Sequence, residues 1–233
     1  VCCFGINHSA TCQDASPSYE TRYVALYNEG SAFYGEGDYH SAINSFTNAL
    51  EIIEDNIGKE NSDYAYILNA LAVTFSKVGE YDKSLELDLE CLDLRKKILG
   101  DDHPDYATSL SNLASTYSSL GNYEKALEIN LECLALREKI FGKEHADYIL
   151  ILNSLASTYS ALGDYGKALD INLECLALYE KTVGKEHPKY ALSLYNIAAK
   201  YSNLGEYDKA LEIYLECLAL DEKIFGKEHP DYA

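Results

Sequence analysis

The chain has 233 residues, 47% hydrophobic and 24% charged, with a formal net charge of −19. That apolar content is too high for a disordered chain, and no apolar run reaches the roughly 20 residues a transmembrane helix needs. The negative field repels phosphate backbones and anionic lipid, so neither nucleic acid nor a membrane surface is an expected partner; a basic partner is permitted.

Residues 1–19 carry no period and read as a leader, a linker or the end of an upstream segment. "VCCFG" resembles the tail of a signal peptide but lacks the basic start. Val1 as the first residue, together with the absence of Met, points to a fragment or a processed chain.

From residue 20 the chain repeats itself. Gly37, Gly79, Gly121, Gly163 and Gly205 are 42 residues apart, and so are Gly58, Gly100, Gly142, Gly184 and Gly226. Five units are predicted, at about 20–61, 62–103, 104–145, 146–187 and 188–229, with a truncated sixth from 230. Within a unit, Leu110, Leu113, Ala114, Tyr117 and Leu120 follow helical spacing up to Gly121. Asn122 and Tyr123 make the turn, and a second helix follows with Ala126, Leu127, Leu131, Leu134 and Ile140 expected on its apolar side, ending at Gly142. Pro104 suits a first helical position, and Asp105 complements the helix dipole. One helical hairpin cannot bury two apolar faces, whereas a stack of hairpins can. The prediction is an all-α fold, a solenoid of five stacked helix-turn-helix hairpins plus the start of a sixth.

The run Leu110-x-x-Leu113-Ala114-x-x-Tyr117, then Gly121-x-Tyr123-x-x-Ala126, resembles the tetratricopeptide (TPR) signature. The 42-residue period, opening on "HPDYA" and closing on "REKIFGKEH", is similar to the kinesin-light-chain type of TPR, over about residues 20–233. The resemblance implies a right-handed superhelix. It also shows departures: Asp88, Asn130 and Asn172 stand where a bulky aromatic is usual, while Phe46 and Tyr214 keep it. Glu29 stands at a core Leu position with Gly30 after it, which predicts weaker packing in the first repeat.

Cys91, Cys133, Cys175 and Cys217 recur once per repeat. Equivalent points on stacked helices lie about 8–10 Å apart, beyond the ~7 Å reach of a disulfide. They are predicted to be free, buried thiols, which fits a reducing, cytoplasmic setting. His103, His145, His187 and His229 share the period but fall in inter-repeat loops, away from the mid-helix thiols, so no metal site is expected. Glu86/Glu90, Glu128/Glu132, Asp170/Glu174 and Glu212/Glu216 are i, i+4 acidic pairs expected to stack as a stripe on the outer surface, a solvated face or, as the alternative, a docking strip for a basic segment. No glycine-rich phosphate loop, GxSxG or HExxH occurs, so neither catalytic residues nor cofactor is predicted.

In the TPR family the first helices line a concave groove that binds peptides. Carried over by position, the resemblance implies a groove-facing set of Tyr27, Asn69, Ser111, Asn153 and Tyr195; one turn on, Ser31, Val73, Ser115, Ser157 and Ala199; and then Tyr34, Ser76, Ser118, Ser160 and Ser202, with Asn112 and Asn196 nearby. Ser31 and Tyr27 occupy the places where some family members use Lys and Asn to clamp a terminal carboxylate, so that mode is not expected. The function implied is a non-catalytic scaffold binding a protein or peptide. An alternative is a regulatory or sensor segment of a larger microbial signalling or protease protein, with a CHAT-type or nucleotide-binding effector domain outside this chain. The sequence stops one turn into the sixth unit, an unfinished end that invites end-to-end self-association.

Overall fold

The computed structural model describes residues 18–226, and these form ten α-helices. They pair as α1 (Tyr19–Glu36) with α2 (Tyr39–Ile57), α3 (Ser62–Lys77) with α4 (Tyr81–Leu99), and α5 (Pro104–Ser119) with α6 (Tyr123–Phe141). The remaining pairs are α7 (Ala146–Ala161) with α8 (Tyr165–Thr182) and α9 (Pro188–Asn203) with α10 (Tyr207–Phe225). The start of a sixth unit and the cysteines at 2, 3 and 12 lie outside the described residues. Each helix packs on the next in chain order. Beyond that, α3 touches α5 and α5 touches α7, and no two even-numbered helices come into comparable contact. The odd-numbered helices therefore line the inner, concave side of the stack.

Local chemistry sets the helix ends. Asn122 Oδ1 accepts from the Lys125 amide, and the Asn122 amide donates back to the Tyr117 carbonyl, closing one helix and opening the next within three residues. Gly121 sits at φ 76°, a conformation that costs a side-chain-bearing residue. Three of the repeating histidines are helix N-caps: Nδ1 of His103, His145 and His187 accepts from the amide two residues on, at 3.1, 3.2 and 3.1 Å, while His229 lies outside the described residues.

Small residues hold the hairpins together. Ala114 and Ala126 are buried where α5 meets α6, so the two backbones approach closely. The buried stripe of α6 differs from the predicted one. It runs through Ala126, Ile129, Asn130, Cys133 and Arg137, while Leu131 is exposed and Leu127, Leu134 and Ile140 are half-buried. An even-numbered helix is covered on two sides, by its own partner and by the next repeat, so the stripe follows contact rather than hydropathy. Gly30 also has a different role from the one expected. A Cβ there would meet the Phe46 ring at 2.7 Å, so the glycine permits a close approach. Glu29 is exposed and accepts from Ser45 Oγ at 3.2 Å.

Two arginines belong to this buried stripe. Arg95 Nη1 donates to the Asp105 carbonyl at 2.8 Å and to Ser109 Oγ at 2.9 Å, tying α4 to the next repeat. Arg137 Nη1 pairs with Asp147 at 3.1 Å across the following junction. Outside the core a ladder of exposed ion pairs repeats: Lys97–Glu60, Lys139–Asp102 at 2.6 Å, Lys181–Glu144 at 2.5 Å and Lys223–Glu186 at 2.5 Å. Each joins an inter-repeat loop to the next even-numbered helix, at about 0–1 kcal/mol apiece.

The four repeat cysteines are free and buried. Sγ of Cys91, Cys133 and Cys217 donates to the Ala65, Ala107 and Ala191 carbonyls at 3.4, 3.2 and 3.3 Å. Burial pushes all four thiols up, Cys175 to about 12 and Cys217 to about 11. With Cys2, Cys3 and Cys12 replaced by serine, the repeat thiols should resist an aromatic disulfide reagent at pH near 8 and react in denaturant. Rapid labelling of the native protein would contradict this burial. Among the described residues no His, Cys, Asp and Glu cluster could hold a metal ion, and no helix is long and apolar enough to cross a membrane.

Candidate functional site

The inner face carries a row of clefts, one between each pair of neighbouring odd-numbered helices from α1 to α7. The first, of about 230 Å³, lies between α1 and α3 and is lined by Tyr27, Ser31, Tyr34, Asn69 and Val73. The second, about 120 Å³, lies between α3 and α5, with Val73, Ser76, Asn112 and Ser115. The third, about 340 Å³, lies between α5 and α7, with Ser111, Asn112, Ser115, Ser118 and Ser157. Asn112 and Ser115 are shared by the last two, so the clefts form one continuous groove.

The remaining residues expected in the groove do not line these three clefts. Asn153 donates to the Ile149 carbonyl at 3.0 Å and to the Tyr179 hydroxyl at 3.1 Å, inside its own junction. Ser160 donates to the Ala156 carbonyl. Tyr195 packs edge-on against Tyr214, ring centres 5.4 Å apart, in a separate cleft with Leu192, Cys217 and Phe225. Asn196 and Ser202 are half-buried on α9. Some groove atoms are also already engaged: Asn69 Oδ1 accepts from Asn112 Nδ2 at 2.9 Å and from Arg95 Nη1 at 3.4 Å. Asn69 therefore ties α3 to α4 and α5, and its acceptor is not open to a ligand.

The floor of the groove comes from the even-numbered helices. Phe46 of α2 lines the first cleft, Asp88 of α4 the second and Asn130 of α6 the third. These are equivalent positions 42 residues apart, and all three are 2% exposed. Thr116 Oγ1 donates to Asp88 Oδ2 at 2.6 Å, and burial holds the Asp88 carboxyl up at about 6 against the pull of Thr116 and Ser84. Asn130 Nδ2 donates to Thr158 Oγ1 at 3.1 Å. The sequence carries a signal for this floor in the missing aromatic at positions 88 and 130.

The concave side of a regular helical stack, lined by small polar side chains and floored by buried variable ones, defines a repeat protein of the α-solenoid class. The tetratricopeptide repeat family model matches residues 21–97, 63–139, 119–181 and 147–223, and the chain belongs to this family, whose members are generally non-catalytic scaffolds for protein interaction. Among curated proteins no sequence matches the chain. Similar solved structures include the nearly identical TPR-like repeats of a kinesin light chain described from Podosopora anserina, at 22% identity and TM-score 0.79, covering 90% of this chain and 99% of that one. BtubC (BKLC) from P. vanneervenii is similar at 19% identity and TM-score 0.75, covering 92% and 95%. A Rap protein complexed with competence and sporulation factor aligns at 17% identity and TM-score 0.70, over 90% of this chain and 56% of that one. At these identities the likeness is one of fold.

Proposed function

We propose that this chain is a non-catalytic scaffold whose inner groove holds an extended segment of a protein or peptide partner. The observation that carries this reading is the continuous row of three clefts on the side where the odd-numbered helices converge. The groove presents hydroxyl and amide groups suited to a peptide backbone, which both donates and accepts. A ligand-bearing neighbour of the same fold, the Rap complex, supports the same use of the architecture. The acidic surface argues for polypeptide over nucleic acid.

Ser115 gives the sharpest test, because it is exposed and lines two clefts at once. Ser115→Arg should fill both without disturbing the core and weaken partner capture by about tenfold or more. Leu131→Arg, on the outer face, should leave capture unchanged. Quantitative pulldown with folding checked by circular dichroism decides it; equal capture by wild type and Ser115→Arg would refute groove binding.

A further inference from the structure

The three clefts share a design: the same position on successive even-numbered helices supplies a different floor each time. The first is apolar, with Phe46 packed 5.7 Å from the Tyr27 ring. The second has an acid. Both hydrogen bonds that reach Asp88 end on Oδ2, a short one from Thr116 at 2.6 Å and a long one from Ser84 at 3.5 Å. The Ser84 proton has a better acceptor in the Ala72 carbonyl at 3.0 Å. A buried carboxylate with one good donor and no ion pair is under-satisfied. Lys77 of α3 lines this cleft, is exposed and makes no ion pair with Asp88. The side chains from α5 that line it are neutral: Asn112, Ser115 and Thr116.

The third cleft has an orphan acceptor. Asn130 Oδ1 is buried and has no hydrogen-bond partner. Turning the amide over does not help. The Thr158 hydroxyl spends its single proton on the Ser154 carbonyl at 2.9 Å and can only accept from Asn130. Asn130 Oδ1 therefore has no donor within the protein.

Neighbouring helices lie about 8–10 Å apart and an extended chain advances about 3.3–3.6 Å per residue, so successive clefts fall about three residues apart along a bound peptide. We infer that the groove selects an extended peptide with an apolar or aromatic residue over Phe46, a lysine or arginine over Asp88 about three positions away, and a hydrogen-bond donor over Asn130 about three further on. This inference rests on the peptide-groove reading above and specifies its ligand. Because Asp88 binds its proton near pH 6, a seated cation displaces that proton, and binding weakens as the pH falls through about 6.

Selection of random linear heptapeptides displayed on phage tests this directly. Wild-type protein should enrich a basic residue spaced about three positions from an apolar or aromatic one. Replacing that basic residue with norleucine in the synthetic peptide should weaken binding about tenfold or more at pH 7.5, with the difference shrinking at pH 5. Asp88→Asn should abolish the basic preference, and Asn130→Asp should add a second one about three positions on. Both exchanges place side chains that this position already holds in other repeats, so the variants should fold. Peptides enriched without a basic preference, yet lost in Ser115→Arg, would overturn this inference and leave the groove reading standing. No enrichment at all would overturn both.

Discussion

Replacing Asp88 with asparagine should stabilise the protein by about 2–3 kcal/mol at pH 7.5 and leave it nearly unchanged at pH 4. An unfolded aspartate ionises near its ordinary value of about 3.9, whereas burial holds folded Asp88 up at about 6. Between these values the unfolded chain has released a proton that the native state keeps. Stability attributable to this group therefore falls as the pH rises from about 4 to 6, then levels off. An asparagine keeps the acceptor for Thr116 and has no charge to bury. The difference between variant and wild type in urea unfolding, followed from pH 4 to 8, should grow across that window. A difference independent of pH, or a destabilised variant at neutral pH, would show that Asp88 is not held in this way. Asparagine already fills the same place in the next two repeats at Asn130 and Asn172, so the architecture does not require an acid there. An acid that costs stability where an amide would serve is expected of a binding residue.

The period of 42, the two helices per unit and the buried thiols could be read from sequence because each rests on a pattern copied several times. The first helices were legible for the same reason, and eleven of the seventeen residues expected in the groove line the three clefts; that they hold a peptide is the proposal made above. What escaped were the exceptions to the pattern on the second helices. Arg95 and Arg137 look like surface residues in a linear reading. They are buried because the next repeat covers that side of α4 and α6 and offers the Asp105 carbonyl, Ser109 and Asp147 as partners. Leu131 looks like core but is 45% exposed, because its side of α6 lies away from both covered faces. Asp88 and Asn130 stand out in the sequence as substitutions for an aromatic, but a helical wheel gives no hint that this position opens onto the groove from below. Periodicity tells which face of a helix is covered once; it does not tell where two neighbours converge on the same helix.

Gly30→Ala should cost about 1–3 kcal/mol, although alanine is the better helix former by about 1 kcal/mol at an unconstrained site. The added Cβ would stand 2.7, 2.8 and 3.1 Å from three atoms of the Phe46 ring. Phe46 has little room to retreat, since it is 2% exposed and packed against Tyr27. The other four repeats show the alternative solution. They place Ala72, Ala114, Ala156 and Ala198 at this position. The first three face the smaller Asp88, Asn130 and Asn172, while the fourth faces Tyr214, which is only half-buried and turns against Tyr195. Glycine with buried phenylalanine, or alanine with something smaller or displaced, are thus two packings of one site. A double-mutant cycle separates this from a simple propensity effect. In a Phe46→Asn background, the Gly30→Ala change should become neutral or stabilising, because the ring that opposes the new methyl is gone. If Gly30→Ala is neutral in the wild-type background as well, the close approach of α1 to Phe46 is wrong. If it destabilises equally in both, the cost lies in the helix and not at the ring. The same substitution also bears on the groove. Phe46 lines the first cleft, so a disturbed ring should cost the variant the apolar preference at that end of a bound peptide while the basic preference set by Asp88 is kept.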